Sequence, residues 1–134
     1  MGRNILVITG SPRKGGNTDT LVDAFIKGAS HAGHTVSRFN AAATEIKGCR
    51  GCDKCWTTGT PCIFRDGFDT LAPMLAEADT LVLASPVYWF GFSTQLKSAV
   101  DKFYAMVRET CPTPLKIKDA ILLLVAGDED EAVF

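Results

Sequence analysis

The sequence predicts an α/β protein built as a three-layer αβα sandwich on a doubly wound parallel sheet, and three observations carry that prediction. Short apolar runs alternate with longer polar or helix-patterned stretches, a glycine-rich segment follows the first run, and an aromatic, proline-containing segment follows the third. Alternation of this kind is the signature of βαβ units, and ligand loops in such sheets lie at the carboxyl ends of strands.

Four runs are expected to be strands: Asn4–Thr9, Thr35–Asn40, Thr80–Ala84 and Ala120–Ala126. The first, third and fourth are almost continuously apolar, as strands covered by helices on both faces should be. His34-Thr35-Val36-Ser37-Arg38-Phe39 alternates and is read as an edge strand. Between the runs, Leu21, Phe25 and Ala29, with Val22 and Ile26 beside them, form a helical stripe of about four turns. It opens after Asn17 and Thr18, both good N-cap residues. Leu71, Met74 and Leu75 fit a shorter second helix. Leu96, Val100, Phe103, Tyr104 and Val107 fit a third, opened by Ser93 or Thr94. The order is βαβαβαβ.

The 134 residues, 46% hydrophobic and 22% charged with a formal net charge of -1, suit one soluble domain spanning 1–134. Neither a nucleic-acid surface nor a membrane surface is indicated. No apolar run reaches the roughly 20 residues of a membrane helix. Five cysteines without an export signal point to reduced thiols or metal ligation in the cytoplasm.

Gly10-Ser11-Pro12-Arg13-Lys14-Gly15-Gly16-Asn17-Thr18 leads from the first strand into the first helix. Glycines let the chain wrap closely, helix N–H groups favour an anion, and hydroxyls or an arginine complete the shell. Ser11, Arg13, Asn17 and Thr18 are therefore candidate phosphate ligands. A Walker A loop needs Gly-Lys-Ser/Thr after its spacer, whereas Gly15 is followed by Gly16 and Asn17. Pro12 stands where G-x-G-x-x-G needs its second glycine. The loop also lacks the cysteine nucleophile of a phosphatase. A turn that only caps the helix is the plain alternative.

Ser85-Pro86-Val87-Tyr88-Trp89-Phe90-Gly91-Phe92-Ser93 follows the third strand. Its aromatics and proline can supply a flat apolar wall for a ring system, or can pack beneath the third helix or at a subunit contact.

Ile8–Thr18 and Ser85–Trp89, followed by Gln95-Leu96-Lys97 and Asp101-Lys102, closely resemble the NAD(P)H-dependent FMN reductase family over nearly the whole chain. The resemblance implies a flavodoxin-like fold and noncovalent FMN. Its phosphate would lie on Ser11, Arg13, Asn17 and Thr18, and its ring against Pro86, Val87, Tyr88 and Trp89. A third contact would fall on Gly127 and Asp128. It further implies a homodimer or homotetramer, and an oxidoreductase taking hydride from NAD(P)H and passing electrons to a quinone, nitro compound, flavin or similar small acceptor. The flavin carries such chemistry, so no catalytic side chain is named. A flavodoxin-like sheet has five strands. The acidic end Asp128–Phe134 follows directly on the fourth, so the sequence reads as a short form completed by a partner subunit or as a fragment.

Thr44–Phe68 is a long insertion with little periodicity, and it contains Cys49, Cys52, Cys55 and Cys62 in the spacing C-x2-C-x2-C-x6-C. The first three share the spacing of bacterial ferredoxins, and four thiolates on a compact loop can hold a [4Fe–4S] cluster. The motif is similar to that of iron–sulfur flavoproteins, a branch of the same superfamily. That branch implies an electron carrier serving ferredoxin-like protein partners. Unmetallated thiols, zinc and a redox disulfide remain open alternatives. A regulatory protein that keeps the fold without the flavin is a third functional class. Cys111, His31 and His34 have no recognisable chemical partner. Cys111 is read as a buried thiol and the histidines as surface residues.

Overall fold

Apolar residues alternate sides along the first strand, and that alternation builds the core on two faces at once. In the computed structural model, which describes residues 2–127, β1 (Asn4–Thr9) sends Ile5 and Val7 to one face and Leu6 and Ile8 to the other. α1 (Asn17–His31) covers the first face through Val22, Phe25, Ile26 and Ala29. The second face is covered by α2 (Phe68–Glu77) and α3 (Thr94–Asp101). Phe68, Leu71, Leu75 and Leu96 are fully buried there, each stabilising the fold by about 1.5–3 kcal/mol relative to exposure.

β2 (Thr35–Asn40), β3 (Thr80–Pro86) and β4 (Asp119–Val125) complete a four-stranded parallel sheet in the order β2-β1-β3-β4. This is the flavodoxin-like order, and its switch point lies between β1 and β3. β2 is an edge strand, as its alternation predicts.

Three expectations are corrected. β4 is not covered on both faces: its residues are exposed or half-buried, Leu122 among them at 55% exposure, because among the described helices α1 packs on one face and α2 and α3 do not reach across the other. α1 is not capped by Asn17 or Thr18, which already lie inside the helix; Gly16 takes the cap position and supplies no side chain. The third helix does not run unbroken to Val107, since it tightens into a 3₁₀ segment at Lys102–Met106. Its start is as expected, with Ser93 Oγ accepting the Leu96 N–H.

The ends of β1 and β3 are locked together. Gly10 N–H donates to Ala84 O at 2.8 Å, Ser93 Oγ–H to Gly10 O at 2.6 Å, and Ser93 N–H to Ser85 Oγ at 2.9 Å. A Cβ on Gly10 would stand 2.5 Å from Leu96 Cβ, so only glycine lets α3 pack this close to the strand ends.

Candidate functional site

One cleft opens at the carboxyl ends of the strands, across the switch point. Its floor is the loop after β1, contributing Ser11, Arg13, Gly16, Asn17 and Thr18. Pro86, Val87 and Tyr88 after β3 form one wall, and Val125, Ala126 and Gly127 after β4 close the far side. The cleft volume is about 330 Å³, at the lower end of the range of small-molecule sites.

Local bonding holds the floor in shape. Ser11 Oγ accepts the Arg13 N–H at 3.3 Å, and Gly15, at φ +67°, donates its N–H to Asp19 Oδ2 at 2.7 Å. Arg38 on β2 grips Asp19 and Asp23 at 2.5 and 2.9 Å, fixing the carboxylate behind the loop. With no side-chain cap at Gly16, the first-turn N–H groups of α1 are left for a ligand.

Of the candidate flavin residues, Ser11, Arg13, Asn17, Thr18, Pro86, Val87, Tyr88 and Gly127 all line this cleft, and Trp89 does not. The bridge between Tyr88 and Gly91 turns the chain back through Trp89 (φ +47°) and Phe90 (φ +63°), leaving them 93% and 74% exposed. They line a neighbouring groove with Leu122 and Leu124. Phe92, by contrast, is half-buried against the core. Asp128 and the rest of the acidic end lie outside the described residues. Gly16, Val125 and Ala126 are cleft residues that sequence reasoning missed. The Gly15-Gly16 pair was the available signal for the first; the other two are marked only by the end of an apolar strand.

A second, more enclosed and much smaller cavity of about 30 Å³ lies in the long insertion, and Cys49, Cys52, Cys55 and Cys62 all line it. All five cysteines are free thiols, and Cys111 is buried elsewhere in the core. Tyr104 O–H donates to Asp53 Oδ1 at 2.9 Å, and Trp56 packs on the Tyr104 ring at 5.6 Å, tying the cysteine loop to the 3₁₀ segment. The Asp53 hydrogen bond pushes the Tyr104 hydroxyl pKa up. At the base, buried Lys102 meets buried Asp66 at 2.6 Å. Asp66 also accepts the Lys47 and Phe68 N–H groups. Burial alone would raise its carboxyl, yet these hydrogen bonds hold it below the usual range. Burial pushes the Cys55 thiol up, and the charge of Arg108 opposes that rise. Asp66, Lys102 and Arg108 were not named from the sequence, where nothing local marks them.

The family model described as NADPH-dependent FMN reductase matches residues 3–132. The chain belongs to that family. The chain is also similar to an iron–sulfur flavoprotein of Archaeoglobus fulgidus, 37% identical over 95 residues, covering 71% of this chain and 43% of that protein. Another similar protein is an iron–sulfur flavoprotein of Methanocaldococcus jannaschii, 36% identical over 98 residues, covering 73% of this chain and 50% of that protein. The sequence thus matches about half the length of these curated relatives. The fold also matches an NAD(P)H:quinone oxidoreductase from Methanothermobacter marburgensis with a TM-score of 0.79 and 18% identity, covering 99% of this chain and 69% of that one.

The family's cofactor suits the cleft: an uncapped helix start and Arg13 face one end, and an apolar wall of Pro86, Val87 and Tyr88 stands beside it. The cysteine cavity offers the donor set of a [4Fe–4S] cluster. Among the described residues no three Cys, His, Asp or Glu side chains converge on one metal ion's position.

Proposed function

We propose that the chain binds FMN in the cleft at the β1/β3 switch point and passes electrons from NAD(P)H to a small acceptor such as a quinone or flavin. The observation that carries this reading is that three strand-end loops line one cleft, with Arg13 and an uncapped helix start at one end and Pro86, Val87 and Tyr88 beside it. Ser11, Arg13, Asn17 and Thr18 would hold the phosphate, and Pro86, Val87 and Tyr88 would flank the ring, with Gly127 closing the far side. Trp89 belongs outside this set. FMN, when bound, supplies the hydride and electron exchange. The protein binds the phosphate, fixes the ring's orientation and keeps one face open.

A second reading adds a [4Fe–4S] cluster on Cys49, Cys52, Cys55 and Cys62 and makes the protein an electron carrier between FMN, the cluster and ferredoxin-like partners. It is favoured by the four thiols around one cavity and by relatives named iron–sulfur flavoproteins. The free thiols also accord with a cytoplasmic location. No described helix is long and apolar enough to cross a membrane. The exposed Trp89 and Phe90 support a homo-oligomer.

The visible spectrum of anaerobically purified protein, recorded alone, after NADPH or NADH, and after dithionite, tests both readings. Two flavin bands that bleach with a nicotinamide nucleotide support the reductase. A broad sulfur-to-iron absorption beneath them, bleached by dithionite, supports the carrier. Protein that neither retains nor rebinds FMN defeats both.

A further inference from the structure

Arg108 is a buried cation with no counter-charge among the described residues. Its residue is 2% exposed, it forms no ion pair among the described residues, and its Nε has no hydrogen-bond partner. Lys102, the other buried cation here, is neutralised by Asp66. Arg108 Nη1 donates to Ala105 O at 2.8 Å and Nη2 to Thr60 O at 3.4 Å. Ala105 and Pro61, the residue after Thr60, both line the cysteine cavity. The guanidinium therefore sits directly behind the cavity wall, between the 3₁₀ segment and the Cys55–Cys62 stretch of the loop. Burying a charge without compensation is among the costliest things a fold can do, and guanidinium cannot escape that cost by losing its proton. The cavity wall in front of it carries four thiols and the Asp53 carboxylate, and Asp53 already accepts the Tyr104 O–H, so the thiols are the groups left there to supply further negative charge.

We propose that Arg108 is the built-in counter-charge of the cysteine cavity, balancing the negative charge of a four-thiolate iron–sulfur cluster and favouring its one-electron-reduced state. This rests on the cluster reading above. A doubly positive core with four thiolates carries two net negative charges. One electron, delivered by reduced flavin or by dithionite, leaves three, and no proton need move. A fixed cation at the wall stabilises the more negative state more strongly and so raises the reduction potential. Arg108 acts through this field and through its grip on Thr60 O. It is a positioning residue that touches no substrate.

The test uses the whole chain, reconstituted anaerobically with iron and sulfide, as wild type, Arg108→Gln and Arg108→Lys. Iron and sulfide content are measured first, then the midpoint of the cluster by low-temperature EPR at poised potentials, with thermal melts as a folding control. Wild type that takes up no cluster overturns the cluster reading itself, and the proposal with it. With the cluster bound, Arg108→Gln is expected to lower the reduced-to-oxidised ratio at fixed potential about tenfold, a shift of about 59 mV for a one-electron couple. Arg108→Lys is expected to keep the wild-type midpoint. An unchanged midpoint in Arg108→Gln overturns the counter-charge role while leaving the cluster reading intact. If Arg108→Gln does not fold, Arg108→Lys decides. A wild-type midpoint supports a charge effect, whereas a shifted midpoint or lost cluster shows that the Thr60 and Ala105 hydrogen bonds matter and the charge does not.

Discussion

Arg13 is the one charged side chain among the described residues that line the strand-end cleft, so phosphate binding as proposed would depend on it more than on any neighbour. It is solvent-exposed, which moderates its electrostatic contribution. Arg13→Ala is expected to weaken FMN binding about tenfold, near 1.4 kcal/mol, in a flavin-fluorescence titration, while riboflavin, which lacks the phosphate, binds both proteins alike. Equal losses for the two flavins would place Arg13 elsewhere on the ligand. Ser11, Arg13, Asn17 and Thr18 were legible because they are contiguous with a strand and a helix start, so local sequence brings them together. Arg108 and Lys102 were not. Each meets its partner across a long chain separation, Lys102 with Asp66 over 36 residues and Arg108 with Thr60 over 48. A buried cation in a helical pattern looks the same as a solvated one until its partner is known.

The insertion between β2 and α2 has almost no regular structure beyond the 3₁₀ turn Lys54–Trp56, so its shape is held by a few polar ties. Asp66 is the principal one, joining Lys47, Phe68 and Lys102 in a single carboxylate. Its pKa is lowered by folding, so its contribution is complete at pH values above the unfolded carboxyl's range. That contribution is lost as pH falls through the folded value. Asp66→Asn is expected to cost about 3 kcal/mol at pH 7, because it strands the buried Lys102 charge. In thermal melts the gap from wild type should narrow between pH 5 and pH 3, as wild type loses the same interaction. A gap that stays constant into acid would mean that the pair contributes no pH-dependent stability. Element types and order were legible because apolar periodicity separates strand from helix. The 3₁₀ tightening at Lys102–Met106 was not, since over five residues a period of 3.6 and one of 3.0 place Phe103 and Met106 alike. The open face of β4 was illegible too, because a continuous apolar run records what a strand can bury and says nothing of whether a neighbour is there to bury it.

At the scale of the whole molecule, the two most exposed large apolar side chains among the described residues are Trp89 and Phe90, and their turn adjoins Leu122 and Leu124 of β4. The aromatic run itself was legible, but its directions were not: the reversal between Tyr88 and Gly91 throws Trp89 and Phe90 outward and returns Phe92 to the core. Two bulky residues held at positive φ each carry a backbone cost of order 1–3 kcal/mol, and they present their rings edge-to-face at 5.7 Å. A second copy covering this surface, as the proposed homo-oligomer would, gains about 25 cal/mol for each Å² of apolar area removed from water. The double variant Trp89→Glu, Phe90→Ser is therefore expected to shift sedimentation velocity toward the monomer. Because neither side chain lines the cleft, FMN affinity should stay within about twofold of wild type, a free-energy change of only about 0.4 kcal/mol. A monomeric variant that also loses FMN would join the turn to the flavin site through the partner subunit. An unchanged sedimentation coefficient would show that the aromatic face is not what holds copies together.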